Sequence, residues 1–300
     1  MAVMTEFLQF HTLDVFTETP FRGNPLAVVS GADGLSPAQM QTIAAEFNLS
    51  ETIFIQKPRD PAHSARVRIF FPTAEIPFAG HPTIGCAIHL ASQNESGDFD
   101  KDITLEEEAG LVPVRVIRRA GRVSAEFIAP VLPFAAGELP ERSRIATALG
   151  LAPGDLSDAP AGVFEGGPRF LYVPVKDLGA LGRARPSEPA WSGIMQTAGV
   201  DSAYLFTPTG PAAFRARMFS PGAGIPEDPA TGSASAILAA WLLQNQRLSE
   251  GEQVFSLQQG VEMGRQSDLR LTIRVSGGAL REIRIAGAAV PVSEGRIRRP

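Results

Sequence analysis

Apolar and polar positions alternate along residues 7–16, and short apolar runs follow at residues 26–29, 52–56 and 67–71. Alternation of this kind, and short apolar runs bounded by turn residues, predict half-buried or buried strands. Residues 104–106, 112–118 and 123–129 continue the pattern, with Ala120-Gly121 read as a hairpin turn between the last two. One helical period interrupts it. Ser36-Pro37 reads as an N-cap followed by proline at the first helical position, after which Met40, Ile43, Ala44 and Phe47 share a face. Pro130, Pro133 and Gly137 then break any element, so a boundary is placed there, giving domains at 1–129 and 130–300. The second half repeats the style. Strand patterns fall at 170–175, 203–207, 214–219, 254–257, 269–275 and 282–285, and a helix of small residues at 233–243. Short strands with one buried helix per half predict an α+β fold.

The two halves are also related in sequence. RIFFPTAEIPFAGHPTIGCAIHLA, from Arg68, lies over RMFSPGAGIPEDPATGSASAILAA, from Arg217, without a gap, and nine of the 24 positions are identical. Ordinary composition gives roughly two. A duplicated strand–loop–helix unit is expected, at an offset of 149 residues. Each copy sets a proline-rich loop before a small-residue helix, starting near Gly80-His81-Pro82-Thr83 in one half and Thr231-Gly232-Ser233 in the other. A helix start offers free N–H donors and partial positive charge, which suits a carboxylate ligand; two ordinary capped helices fit the local residues equally well. At this offset Ala79 falls on Asp228, and His81 and Asp228 have no counterparts.

Composition narrows the chemistry. Charged residues make up 20% and the net charge is −5, with no charge run longer than Glu106–Glu107–Glu108, so a nucleic-acid stripe or a polybasic membrane patch is not expected. No apolar stretch approaches about 18 residues, and the first ten residues lack a basic segment followed by an apolar run, so no membrane span or leader is expected and a cytoplasmic location is. Cys86 is the single cysteine, which excludes an internal disulfide, a cysteine-rich zinc site and a two-thiol catalytic pair. No dinucleotide, phosphate-loop or Gly-x-Ser-x-Gly pattern occurs in a suitable context. His11, His63 and His89 are spaced too irregularly for a metal site.

Five segments carry a resemblance: FHTLDVFTETPFRGNPLAVV from Phe10, EFNLSETIFI from Glu46, FAGHPTIG from Phe78, PEDPATGSA from Pro226 and QGVEMGR from Gln259. In this order and over nearly the whole chain, they resemble the PhzF-like, phenazine-biosynthesis family, with its diaminopimelate epimerase-like fold. The resemblance implies two similar domains, each a curled, mostly antiparallel, barrel-like sheet around a central helix, with an active site in the cleft between them. The C-terminal tail, 287–300, is expected to return to the first domain. A homodimer, no cofactor and no metal are implied, with a small carboxylic acid as substrate. The family activity is isomerisation of a dihydro-hydroxyanthranilate, in which one carboxylate moves a proton between ring carbons.

Residue by residue, the family's catalytic glutamate falls on Glu51, its GHPT histidine on His81, its DPATGS aspartate on Asp228 and its carboxylate-holding serine on Ser233. N–H groups around Gly80 and Gly232 would complete the cradle. Without the resemblance, Glu51 reads as a solvated charge at a strand start, and Asp228 as a cap for a helix beginning near Pro229. Related epimerases and racemases of this fold use two cysteines; here the repeat-equivalent positions read Ala79 and Asp228, while Cys86 is expected as a small buried hydrophobe. An isomerase with a single-carboxylate proton shuttle is the expectation. The alternatives are a one-base epimerase or racemase, and a small-molecule binding protein without turnover.

Overall fold

The computed structural model describes residues 6–300; the first five residues of the segment read above as carrying no leader lie outside it. The chain divides into two compact units, 1–128 with 286–300, and 129–285.

Unit 1 is a closed ring of eight strands. β1 (Phe7–Val15) pairs antiparallel with β2 (Asn24–Ser30), and β2 runs parallel to β3 (Glu51–Gln56). β3 is antiparallel to β4 (Ala65–Phe70), which meets the two-residue β5 (Glu75–Ile76) on its way out. β4 is parallel to β6 (Phe99–Glu107), and β6, β7 (Gly110–Arg119) and β8 (Arg122–Ile128) follow as antiparallel neighbours. The turn between β7 and β8 is Ala120-Gly121, both with positive φ, as a two-residue hairpin requires. A C-terminal strand, Ala279–Arg298, pairs with both β1 and β8 and closes the ring.

Helix α1 (Pro37–Phe47) lies on the outside. Ser36 caps it through a reciprocal bond with Gln39, and Met40, Ile43 and Ala44 pack with Leu8, Val29, Phe54 and Phe70. Helix α2 (Gly80–Ser92) lies inside, against β1, β2, β3, β6, β7 and β8. Every residue from Gly80 to Ile88 is buried. A helix buried on all sides has no room for large side chains where a wall comes close. Gly85 marks that point: a Cβ there would stand 2.5 Å from a methyl of Leu26 and 2.8 Å from one of Val15, both fully buried.

Unit 2 repeats the plan. β9 (Phe134–Ala135), β10 (Gly162–Glu165) and β11 (Arg169–Pro174) are antiparallel neighbours, and β11 is parallel to β12 (Ala203–Gly210). β12 is antiparallel to β13 (Ala213–Ser220), which meets β14 (Ile225–Asp228) and runs parallel to β15 (Gly251–Gln259). β16 (Ser267–Ser276) follows β15 antiparallel and turns at Gly277-Gly278 into β17, the strand Ala279–Arg298. Outside this sheet sit α3 (Arg142–Ala148), α4 (Leu178–Arg183) and α5 (Ala190–Ala198), which the sequence patterns did not predict, packed on Leu171, Val173 and Leu205. Inside sits α6 (Gly232–Gln244), buried from Ala234 to Leu242. Two buried tyrosines hold it: Tyr172 donates to the Ala234 carbonyl at 2.6 Å, and the Tyr204 hydroxyl lies 3.2 Å from Ser235 Oγ. Cys86 on α2 is a free, buried thiol. Among the described residues no helix is long and apolar enough to cross a membrane.

Gly85→Ala is expected to destabilise the fold by about 1–3 kcal/mol through overpacking, although alanine is the better helix former by about 1 kcal/mol. Urea unfolding of the variant checks this; an unchanged or higher midpoint would contradict the close approach of α2 to its wall.

Candidate functional site

In unit 1, β3 begins at Glu51, paired in parallel register with Leu26. Glu51 is only 6% exposed, so it is not a solvated strand-end charge. Its Oε2 stands 3.1 Å from Nδ1 of His81, the second residue of α2. Burial pushes the His81 imidazole down to about 3, and a hydrogen bond to the Pro25 backbone offsets this only in part. His81 is therefore neutral at pH 7, and its approach to Glu51 is a contact between a carboxyl and an uncharged ring. Its Nε2 is buried and makes no hydrogen bond. The helix start beside it is open. The N-cap is Ala79, without a capping side chain, and Pro82 carries no N–H, which leaves Gly80 and His81 as donors at that end. A buried carboxyl, a neutral imidazole and an uncapped helix start can together move a proton beside a bound anion.

In unit 2, Asp228 ends β14 with its Cα opposite Met218, and it is buried. Thr231 Oγ donates to Asp228 Oδ2 at 2.5 Å. Gln259, fully buried at the end of β15, binds the same turn three times. Its amide nitrogen donates to the Asp228 carbonyl at 2.8 Å and to Thr231 Oγ1 at 3.0 Å, and its oxygen accepts the Thr231 N–H at 3.2 Å. Gly260 follows with φ +72°, and a Cβ there would meet the carbonyls of Arg265 and Pro229 at 2.5 and 2.7 Å. Helix α6 starts at Gly232 from a Thr231 N-cap that makes no side-chain cap bond. Asp228 is therefore not the cap of a helix beginning at Pro229: it lies on the strand before, and its carboxylate takes a hydroxyl from the N-cap residue. Gly232 is buried and Ser233 half-buried in this first turn. Glu51, His81 and Gly80 thus gather in unit 1, and Asp228, Gly232 and Ser233 in unit 2. Among the described residues no group of three or more His, Cys, Asp or Glu side chains is placed to hold a metal ion.

The phenazine biosynthesis-like (PhzC-PhzF) family profile matches residues 13–295. The chain belongs to this family. It is 40% identical over 295 residues to an uncharacterized isomerase of Mesorhizobium japonicum, covering 95% of this chain and 96% of that one. It is 35% identical over 289 residues to the trans-2,3-dihydro-3-hydroxyanthranilate isomerase of Pseudomonas aeruginosa, covering 96% and 98%. The crystal structure of a PhzF-family phenazine biosynthesis protein from Bacillus anthracis superposes with a TM-score of 0.86 at 26% identity, covering 98% of this chain and 99% of that one. The protein is thus an isomerase of the phenazine biosynthesis-like family, with its α+β, epimerase-like fold.

Within the family fold, the strand ladders correct the ungapped repeat. Ala65 pairs with Leu105 in one unit, and Phe214 with Leu257 in the other. The offset is thus 149 residues for β4 and β13 but 152 for β6 and β15, and the helices, starting at Gly80 and Gly232, share the larger value. The loop of the second copy is thus three residues longer than that of the first. The partner of Ala79 is therefore Thr231, not Asp228; His81 corresponds to Ser233, and Asp228 to Ile76. His81 and Asp228, which the ungapped alignment leaves without counterparts, both have them, in residues of different chemistry.

The same register exposes a duplicated clamp. Arg68 Nε and Nη2 donate to the two oxygens of Glu75 at 2.6 and 2.5 Å; Arg217 does the same to Glu227 at 2.8 and 2.8 Å. Each guanidinium also covers a phenylalanine ring, Phe70 or Phe219. Arg217 Nη1 donates in addition to the carbonyls of Leu181 and Ala184, at 2.8 Å each. The clamp fixes the short strand before each central helix, and Glu227 adjoins Asp228. Sequence reading missed Glu227 and Gln259 as site supports, although both stand in quoted family segments; the signal was the repeat, read with its three-residue gap.

Two outcomes follow from this geometry. Arg217→Ala leaves the half-buried Glu227 without its partner and the carbonyls of Leu181 and Ala184 without their donor, and is expected to cost about 2–3 kcal/mol, against about 1 kcal/mol for Arg68→Ala at its more exposed twin; paired denaturant melts compare them. The folded pKa of His81, about 3, lies below its ordinary 6.5. The stability this neutral ring contributes is thus full above about pH 6.5 and lost as pH falls toward 3, by up to about 1.4 kcal/mol per pH unit. His81→Gln is expected to flatten this acid limb; a variant with the same slope as wild type between pH 6.5 and 4 would show that His81 is not the group responsible.

Proposed function

We propose that the protein isomerises a small cyclic or unsaturated carboxylic acid of the dihydro-hydroxyanthranilate kind by moving one proton between two carbons, as a homodimer and without a metal or organic cofactor. The observation that carries this reading is the contact of buried Glu51 with neutral His81 at the open start of α2. The Glu51 carboxylate takes a proton from one carbon. The C–H electron pair forms the new double bond, the old double bond gives up its pair at a second carbon, and the Glu51 carboxyl returns the proton there. Electrons and atoms balance within the substrate, so no oxidant or reductant enters. The neutral imidazole positions a substrate hydroxyl or amino group, and Asp228 assists as a second acid/base group. The N–H groups of Gly80 and Gly232, with Ser233, receive the substrate carboxylate.

The test is NMR in D₂O. Dihydro-hydroxyanthranilate and a panel of small unsaturated acids are incubated with wild type and with Glu51→Gln. A double-bond shift, or deuterium entering one carbon, is expected with wild type, and a rate lower by about 10²–10⁴ with the variant. Equal rates would remove Glu51 from the mechanism; bound acids with no exchange in either protein would favour a binding role.

A further inference from the structure

Glu107 ends β6 in unit 1 where Gln259 ends β15 in unit 2, 152 residues later. Both side chains reach the first turn of their central helix. Gln259 does so as an amide, uncharged at every pH. Glu107 is 8% exposed, and its Oε1 lies 2.7 Å from Thr83 Oγ1, which itself lies 2.7 Å from the Ala79 carbonyl. A hydroxyl carries one proton, and a carbonyl oxygen carries none. Two hydrogen bonds in series therefore need a second proton, and the only group in the row that can supply it is the Glu107 carboxyl. Its other oxygen, Oε2, is buried without a hydrogen-bond partner, a position an acid tolerates far better than a carboxylate.

We propose that Glu107 is a positioning residue that acts as a neutral carboxylic acid: its proton bonds Thr83, Thr83 bonds Ala79, and the row fixes the turn that carries Gly80 and His81. The catalytic meaning of this role rests on the isomerase reading above; the protonation state does not. The repeat supports it, since the other unit meets the same need with a neutral amide. Burial also pushes the Glu107 carboxyl up to about 8, with the Thr83 bond offsetting only part.

The surrounding charges leave this state undisturbed. From α2, Glu107 faces Cys86, a thiol that burial itself pushes up and keeps neutral. Arg59, Asp60 and His63 line a cavity of about 490 Å³ that Glu106 and Glu107 share. There Glu106 accepts the N–H groups of Arg59 and Asp60 and contacts His63 Nδ1, so the acid beside Glu107 is held as a carboxylate and adds repulsion rather than relief. Glu108, in the turn just after the strand, pairs with Arg66 at 2.9 Å.

The experiment compares wild type, Glu107→Gln and Glu107→Ala. Isotope-edited infrared difference spectra of the free protein, wild type minus Glu107→Gln, are expected to show a protonated-carboxyl band at about pH 6–7 that converts to carboxylate around pH 8. A carboxylate band at neutral pH overturns the proposal whether or not a substrate has been found. Melting gives a second activity-free reading. A raised pKa means stability is full below the ordinary 4.5 and lost as pH rises through about 8. The Tm of Glu107→Gln relative to wild type should therefore climb over that window and level off above it; a constant difference overturns the proposal. With turnover in hand, Glu107→Gln keeps kcat at pH 7 and loses the alkaline fall near pH 8, while Glu107→Ala loses about 10–100-fold in kcat/KM. An alkaline limb retained by Glu107→Gln would show that Glu107 does not position the turn.

Discussion

Each unit is built round a helix that has no exposed face over its first half. Burying α2 and α6 inside curled sheets forces small residues along them, and it also removes water from their first turns, where N–H groups have no intrahelical partner. Neither helix solves this with its own N-cap side chain: Ala79 has none to offer, and the hydroxyl of Thr231 is turned to Asp228. The sheet holds the turn instead. The last side chain of β6 or β15 reaches in from one side, and an Arg–Glu clamp fixes the incoming strand on the other. What remains at each helix start is a small set of buried N–H groups that no N-cap side chain takes. The site follows from the problem of enclosing a helix.

Much of this was legible locally. Ser36-Pro37, the Ala120-Gly121 turn and most of the strand alternations are short-range signals that gave elements close to their observed bounds, although 104–106 proved to be the end of a strand beginning at Phe99. The helix starts at Gly80 and Gly232 were visible because glycine and proline mark them. Helices α3, α4 and α5 were not. They are 7, 6 and 9 residues long, too short for a hydrophobic period to stand out, and they form because they cover one side of a sheet. β17 was read only at 282–285, yet it runs 20 residues, because its later part is exposed and loses the apolar alternation while its backbone still pairs with β1.

The repeat was detected from sequence but in the wrong register through the helices. The matches Ala87/Ala236, Ile88/Ile237 and Ala91/Ala240 arise because both helices must be small and apolar, so they match at several offsets. Only non-local pairing fixes the shift, since Ala65–Leu105 and Phe214–Leu257 are one contact made twice. For the site, Glu51 and His81 lay within local motifs, but their contact joins residues 30 apart in sequence and could not be read from either motif. Gln259 and Glu107 were hidden for the same reason: each acts on a turn some 25 to 30 residues before it, and only the ladder brings the two together.

Once the register is right, the two copies differ most at the positions that meet the helix starts. Ile76 corresponds to Asp228 in the repeat, Ala79 to Thr231, His81 to Ser233, and Glu107 to Gln259. Unit 1 holds groups that titrate, kept neutral by burial in His81 and Glu107. Unit 2 holds a carboxylate whose turn is fixed by a threonine and an amide that cannot titrate. Duplication supplied two equivalent helix starts, and the copies differ at four positions: one turn is lined by His81 and Glu107, and the other is held by a hydroxyl and an amide around Asp228. The proton transfer proposed above would draw on that difference, because two identical turns without titratable groups would bind an acid and leave it unchanged.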